Sequence, residues 1–234
     1  MRKLLLSASA VALAVPGVAH ADPYIAISGG LSTAEDYENT GIINADIGPG
    51  PGDLPGLPAG TSYSFDTNVD VGWNVGGQIG YDFDGPLRVE LEGSYVAHDI
   101  DYHSNAFVGG TDIGNFGTNV LTRSGPGTGV PVFAALADGR GDVESYGAFL
   151  NVLFDFDLGI VEPYVGAGAG IYVIDVDYLP SGLDIANDAD TTFAYQGIAG
   201  VAGDLGDNVE LFAEYKYRRL FDEATVVGNL IPSD

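Results

Sequence analysis

Cysteine is absent from this 234-residue chain. That single absence excludes disulfide staples, thiolate metal sites and cysteine nucleophiles. Cations are scarce as well, with 8 Lys and Arg against 33 Asp and Glu and a formal net charge of −25. A surface so acidic repels nucleic acid, so no nucleic-acid partner is expected. The body of the chain also lacks any run of about eighteen apolar residues, which excludes a helical membrane protein. Methionine and tryptophan occur once each, whereas there are 35 Gly, 13 Tyr and 11 Phe. A glycine- and aromatic-rich, lysine-poor composition describes alternating β structure better than helices. The length fits one domain or at most two small ones.

The N-terminus sets the compartment. Arg2 and Lys3 form a basic start, Leu4 to Val15 is apolar, Pro16 and Gly17 interrupt it, and Ala19-His20-Ala21 is a small-x-small site. This order describes a secretory signal peptide over residues 1–21, with the mature chain, residues 22–234, starting at Asp22.

From Phe65 to Phe83 the odd positions are mostly apolar (Phe65, Val69, Val71, Trp73, Val75, Ile79, Tyr81, Phe83) and the even positions small, polar or acidic. A period of two is a strand, and this one greatly exceeds the usual five or six residues. A tilted transmembrane strand needs about 9–11 residues inside hydrocarbon. Six further stretches alternate in the same way: Pro23 to Leu31, Leu87 to Ala97, Val143 to Phe156, Val161 to Val173, Thr191 to Leu205 and Val209 to about Arg219. Between them, Thr33 to Ser64, His98 to Gly141 and Asp175 to Asp190 lack periodicity and are expected to be long loops, the first full of Gly and Pro. Asp82 to Pro86, Asp157 to Gly159 and Gly203 to Asn208 are expected to be tight turns.

Long and short connections therefore alternate, the build of an outer-membrane barrel with long loops outside and short turns in the periplasm. The fold class expected is an all-β, antiparallel, up-and-down transmembrane β-barrel of eight strands. Seven are clear, and the eighth is short or missing. Tyr81, Phe83, Phe154 and Phe156 fall where one aromatic girdle belongs, and Trp73 and Val75 are expected to face lipid near mid-membrane, with Asn74 and Gln78 toward the lumen.

Three stretches resemble small OmpA-like and Opa-type (opacity, porin-like) outer-membrane barrels. Glu162-Pro163-Tyr164-Val165-Gly166-Ala167-Gly168-Ala169-Gly170 resembles their P-Y-x-G-x-G-x-G strand. Phe193 to Val201 is similar to the Tyr-Gln…Gly strand that follows it, and Glu214-Tyr215-Lys216-Tyr217-Arg218 to a Tyr-Arg-Tyr seventh strand. The resemblance implies an eight-stranded barrel of Gram-negative surface antigens, partnered by outer-membrane lipid, lipopolysaccharide and the assembly machinery. It also implies a closing strand ending on an aromatic residue, which Val226 to Asp234 does not supply. A continuation past Asp234, with a closing strand or a periplasmic domain, is expected; a short strand over Ala224 to Ile231 is the other reading.

Arg88, Glu90, Glu92, Glu162, Glu210, Glu214, Lys216 and Arg218 alternate onto the inward face, and buried charges must pair, so a lumen charge network is expected. Matching heights from the turns places Arg88 by Glu210 and Glu162, and Glu92 by Glu214 and Lys216. The five carboxylates outnumber the three cations, so any leak would prefer cations. No catalytic residue, cofactor or metal site is assigned: the acidic loops do not fit a calcium-loop spacing. The function expected is a structural, surface-exposed barrel whose acidic loops meet a host or environmental ligand. A narrow, weakly cation-preferring porin is the alternative. A rim hydrolase or lipid A-modifying enzyme, using His98 or His103 with Asp99, Asp101 or Ser104, ranks last.

Overall fold

The computed structural model describes residues 4–15, 23–50, 54–122, 130–137, 140–178, 186–206 and 209–221. Its strands are β1 (Leu4–Val15), β2 (Pro23–Ala34), β3 (Tyr37–Ile42), β4 (Ser62–Val69), β5 (Gly72–Asp82), β6 (Leu87–Val108), β7 (Thr111–Asp112), β8 (Gly141–Asp155), β9 (Glu162–Tyr178), β10 (Ala186–Gly206) and β11 (Val209–Leu220). Two short helices, α1 (Asn119–Thr122) and α2 (Val132–Leu136), lie between β7 and β8.

All pairings are antiparallel. β1 pairs with β2, β2 with β5, β5 with β6, β6 with β8, β8 with β9, β9 with β10, β10 with β11, and β11 with β1. Along β2, β5, β6, β8, β9, β10 and β11, buried or half-buried positions alternate with exposed ones. In β5, Asn74 and Gln78 are buried while Trp73, Val75 and Ile79 are exposed. The exposed face is apolar, with Ile25, Ile27, Leu91, Leu150, Ile171 and Leu211 on it. The polar face is the buried one, which inverts the usual order for a protein bathed in water.

The two ends of the sheet differ. At the turn end, Asp84 and Gly85 reverse the chain, with Phe83 N–H donating to Leu87 C=O (3.1 Å) and Gly85 at φ +142°. Gly159, at φ +94°, makes the corresponding corner between β8 and β9, its N–H held by the Asp157 carboxylate at 2.8 Å. At the loop end the strands run on. β6 has 22 residues, and β9 and β10 have 17 and 21.

Three sequence expectations change. The stretch from Phe65 to Phe83 is two strands, broken at Asp70 and Val71. β5 pairs with β2 and the lower part of β6, whereas β4 pairs with β3 and the upper part of β6. The break coincides with close approach of the backbones: a Cβ on Gly72 would lie 2.0 Å from the Ala97 carbonyl oxygen. It also turns the apolar row over, since Phe65 and Val69 pack inward against a buried cluster while Trp73 and Val75 face out. A constant period of two could not reveal that reversal.

The expected loops carry β3 and β7, and with β1 and the divided Phe65 to Phe83 stretch the described residues hold eleven strands rather than eight. Thr33 to Ser64 contains β3, extended past it by bridges Ile47 to Leu57 and Gly50 to Leu54. β9 and β10 pair through Val176 opposite Asp188, well into the stretch expected to be the third loop. Finally, Leu4–Val15, within the expected signal peptide, forms β1 in the slot between β2 and β11. Ala224 to Ile231, the candidate closing strand, lies outside the described residues.

Candidate functional site

The buried face of the sheet is filled in three levels. Nearest the turns, Arg88 on β6 pairs with Asp155 on β8, Nη2 to Oδ1 at 3.0 Å. Its guanidinium also lies over the Tyr164 ring at 4.8 Å and the Tyr24 ring at 5.5 Å. Cation–π contacts of this kind keep a desolvated cation favourable without a second carboxylate. The Tyr24 hydroxyl donates to Glu90, and the Tyr164 hydroxyl to Glu214 at 3.2 Å. Between these groups a cavity of about 10 Å³ is lined by Tyr24, Gln78, Arg88, Glu90 and Glu210. That is room for about one water molecule.

The middle level is centred on Glu92, which is 2 % exposed. Its Oε1 meets Lys216 Nζ at 3.0 Å and Arg218 Nη2 at 3.2 Å. Its Oε2 accepts from the amides of Asn151 and Gln196, both at 2.9 Å. Gln196 also donates to Asn151 Oδ1 (2.8 Å) and accepts from Arg218. Lys216 bridges on to Glu214 at 2.7 Å, and Arg218 stacks over Phe149 at 4.4 Å and Tyr172 at 5.1 Å. One carboxylate thus ties β6 to β8, β10 and β11. Saturation of this kind is what makes a buried charge tolerable.

Toward the loop end the interior becomes apolar. Ile100, Ala106, Val143, Ile174 and Val176 from the strands, Ile113 just after β7, and Val132 and Leu136 of α2 form one buried cluster. The short helix closes over the sheet like a stopper.

Of the residues picked out in the sequence, Glu92, Glu214, Lys216 and Arg218 therefore come together. Arg88 is placed against Asp155 rather than paired with Glu210 or Glu162, because β8 lies beside β6 and brings Asp155 to the first level. Glu210 lines the cavity beside Arg88, and Glu162 is half-buried at the turn end. Sequence reasoning did not assign roles to Asp155, Asn151, Gln196, Tyr24 or Tyr164. All five alternate onto the buried face, so parity was the available signal. Phe149 and Leu153, apolar residues on the polar parity, are 1 % exposed, and Phe149 lies under Arg218.

The two histidines make other contacts. His98 meets the Ser32 hydroxyl at 3.1 Å and the Asp70 carbonyl at 3.0 Å. His103 meets the Thr67 hydroxyl at 2.9 Å and the edge of the Phe65 ring, and burial pulls its pKa down to about 4. His98 thus meets β2 and the break between β4 and β5, and His103 meets β4. On the exposed face near the loop end, Asp99 stands opposite Asp142 and Asp142 opposite Asp177. Partial burial, followed by the neighbouring Glu144 and Asp177, raises the Asp142 carboxyl above its ordinary range. Just below that row, Glu144 accepts from the hydroxyls of Tyr95 (2.7 Å) and Tyr146 (2.8 Å), and Trp73, Tyr95 and Tyr146 form a continuous ring contact, each centroid 5.1 Å from the next.

Comparison with known proteins places this geometry. A relative from Gluconacetobacter diazotrophicus described as "Outer membrane protein" is 28% identical over 233 residues, covering 92% of this chain and 52% of its own. The chain thus spans about half the length of that curated relative. No solved structure matches it. The model of the family described as "Surface antigen" matches residues 58–226, running from the residues before β4 to beyond β11, and the chain belongs to that family.

Proposed function

We propose that this protein is a structural, surface-exposed protein of the outer membrane, in which β2, β5, β6, β8, β9, β10 and β11, completed by a further strand in the slot of β1, form an up-and-down transmembrane barrel with a plugged interior. The loop end faces outward and the turn end the periplasm. The single observation that carries this reading is the inversion of the sheet: an apolar exposed face around an ion-paired buried one. Lipid is the solvent in which that order is stable. The relative's description as an outer membrane protein supports the same location.

Two aromatic bands set the depth. Tyr81, Phe83, Phe154 and Phe156 gather at the turn end, and Trp73, Tyr95 and Tyr146 toward the loop end. The eight steps from Tyr146 to Phe154 rise roughly 26 Å along the strand, or about 20 Å at the usual tilt. Trp73 therefore belongs at the outer interface rather than mid-membrane, and Gly77, Gly93 and Leu150 near the midplane. The saturated Glu92 level and the apolar level above it favour a plug over a conducting or catalytic interior.

Residues 1–21 act as a signal peptide in this reading. β2 and β11 each pair with β1, and the described pairings do not join them to each other. After cleavage another strand must fill that slot, because each unpaired backbone group costs several kcal/mol in lipid.

Two measurements test the reading. Protease added to intact cells should cut within residues 43–61 while the protein fractionates with the outer membrane. Refolded protein in planar bilayers should show no discrete channel openings. Recovery from another fraction would overturn the location, and steady unitary conductance would overturn the plug.

A further inference from the structure

β3 is the end of the strand series. It pairs with β4 on one side, and among the described residues no strand pairs with the other. An open edge of this kind is a template for one more strand. Ile43 N–H donates to Thr61 C=O at 2.9 Å, and Ile47 and Leu57 exchange both backbone bonds at 2.9 Å or less. Odd residues therefore point their backbone groups at β4, and by alternation Glu38, Thr40 and Ile42 point theirs at the open side.

The edge is held rigidly. Asn39 Nδ2 reaches across to Thr67 Oγ1 at 2.8 Å and the Phe65 carbonyl at 3.2 Å, and Thr67 in turn meets His103 of β6 at 2.9 Å. Phe65, Val69 and Val108 pack against the buried cluster beneath, and the Tyr63 ring covers Gly41, where a Cβ would lie 2.4 Å from it. A template already ordered loses little freedom when a strand joins it.

Charge selects the occupant. Residues 32–72 hold Glu35, Asp36, Glu38, Asp46, Asp53, Asp66 and Asp70 and no Lys or Arg. Within the sheet, Glu38 stands directly opposite Asp66, an unfavourable like-charge pair. A second copy of this edge would bring more negative charge to the same place. A basic residue opposite Glu38 on an added strand would complete a favourable row. We propose that the open edge of β3 binds an extended, cationic peptide segment as an additional β-strand, the backbone groups of Glu38, Thr40 and Ile42 carrying the ladder and Glu38 the charge recognition.

That this edge faces outward rests on the outer-membrane reading, but the test does not need a cell. Refolded protein in detergent micelles is titrated with a fluorescent, end-capped peptide of alternating Lys and Val, seven residues long. Saturable, salt-dependent binding is expected. Methylating the peptide's alternate backbone nitrogens should weaken it at least tenfold, a control that leaves the protein's fold untouched. Thr40→Pro, which removes an outward N–H, should do the same, whereas Thr40→Val should bind as wild type. Glu38→Lys should lose the Lys peptide and gain an alternating Glu and Val one. Absence of binding would overturn the proposal. So would equal affinity for the methylated peptide, which would mean adhesion by charge alone. Self-association abolished by Thr40→Pro would assign the edge to a second copy instead, which also overturns it. A protein that binds as expected yet fractionates away from the outer membrane would sink the location and leave the edge intact.

Discussion

At the scale of single residues, Glu92 holds the interior together. Glu92→Ala removes the carboxylate that Lys216 and Arg218 share in a buried site, and removing one partner of such a group costs about 3–5 kcal/mol. Urea unfolding of the refolded protein should show a loss of that order, with a much smaller one for Glu162→Ala, which lies half-buried at the turn end. His103 carries a pH dependence of opposite origin. Burial holds its folded pKa near 4, below the ordinary value of 6.5. The unfolded state therefore takes up the proton first as pH falls. The stabilisation is complete above about pH 6.5 and drains away down to about pH 4, amounting to on the order of 3 kcal/mol. Amide exchange around Thr67 and His103 should accelerate over that window, and His103→Gln should flatten the change. Parity in the sequence put Glu92, Lys216 and Arg218 on one face. It could not say that Arg88 meets Asp155, since that depends on which strands become neighbours.

At the scale of elements, the exposed face is graded by depth. Leu150 is 59% exposed and near the midplane, whereas Tyr146 sits in the outer aromatic band. Leu150→Arg should cost about 2–4 kcal/mol and Tyr146→Arg about 0–1. Equal penalties in unfolding from lipid vesicles would mean the bands are misplaced. The barrel-facing parts of the strands were legible because lipid and a packed lumen impose a strict period of two. The outer parts were not. Above the bands water returns outside, so Ile174, Val176 and Phe65 turn inward with no change in local alternation. β3 was invisible for a different reason: Glu38, Asn39 and Gly41 have little strand propensity, and their order comes from Phe65, Thr67 and Tyr63 opposite.

At the scale of the whole molecule, the seam between β2 and β11 is the most sensitive region. If residues 1–21 are removed on export, protein from the outer-membrane fraction should begin at Asp22 by N-terminal sequencing. An intact Met1 on folded, membrane-inserted protein would instead make β1 the permanent closing strand. The Glu92 level has a consequence for the order of assembly. Its carboxylate belongs to β6, but its two cations arrive on β11, with Arg218 lying 126 positions later in the chain. Until β11 docks, a wall containing β6 carries an unneutralised charge that lipid will not accept, so it must stay hydrated. Water can leave the interior only when Lys216 and Arg218 enter it.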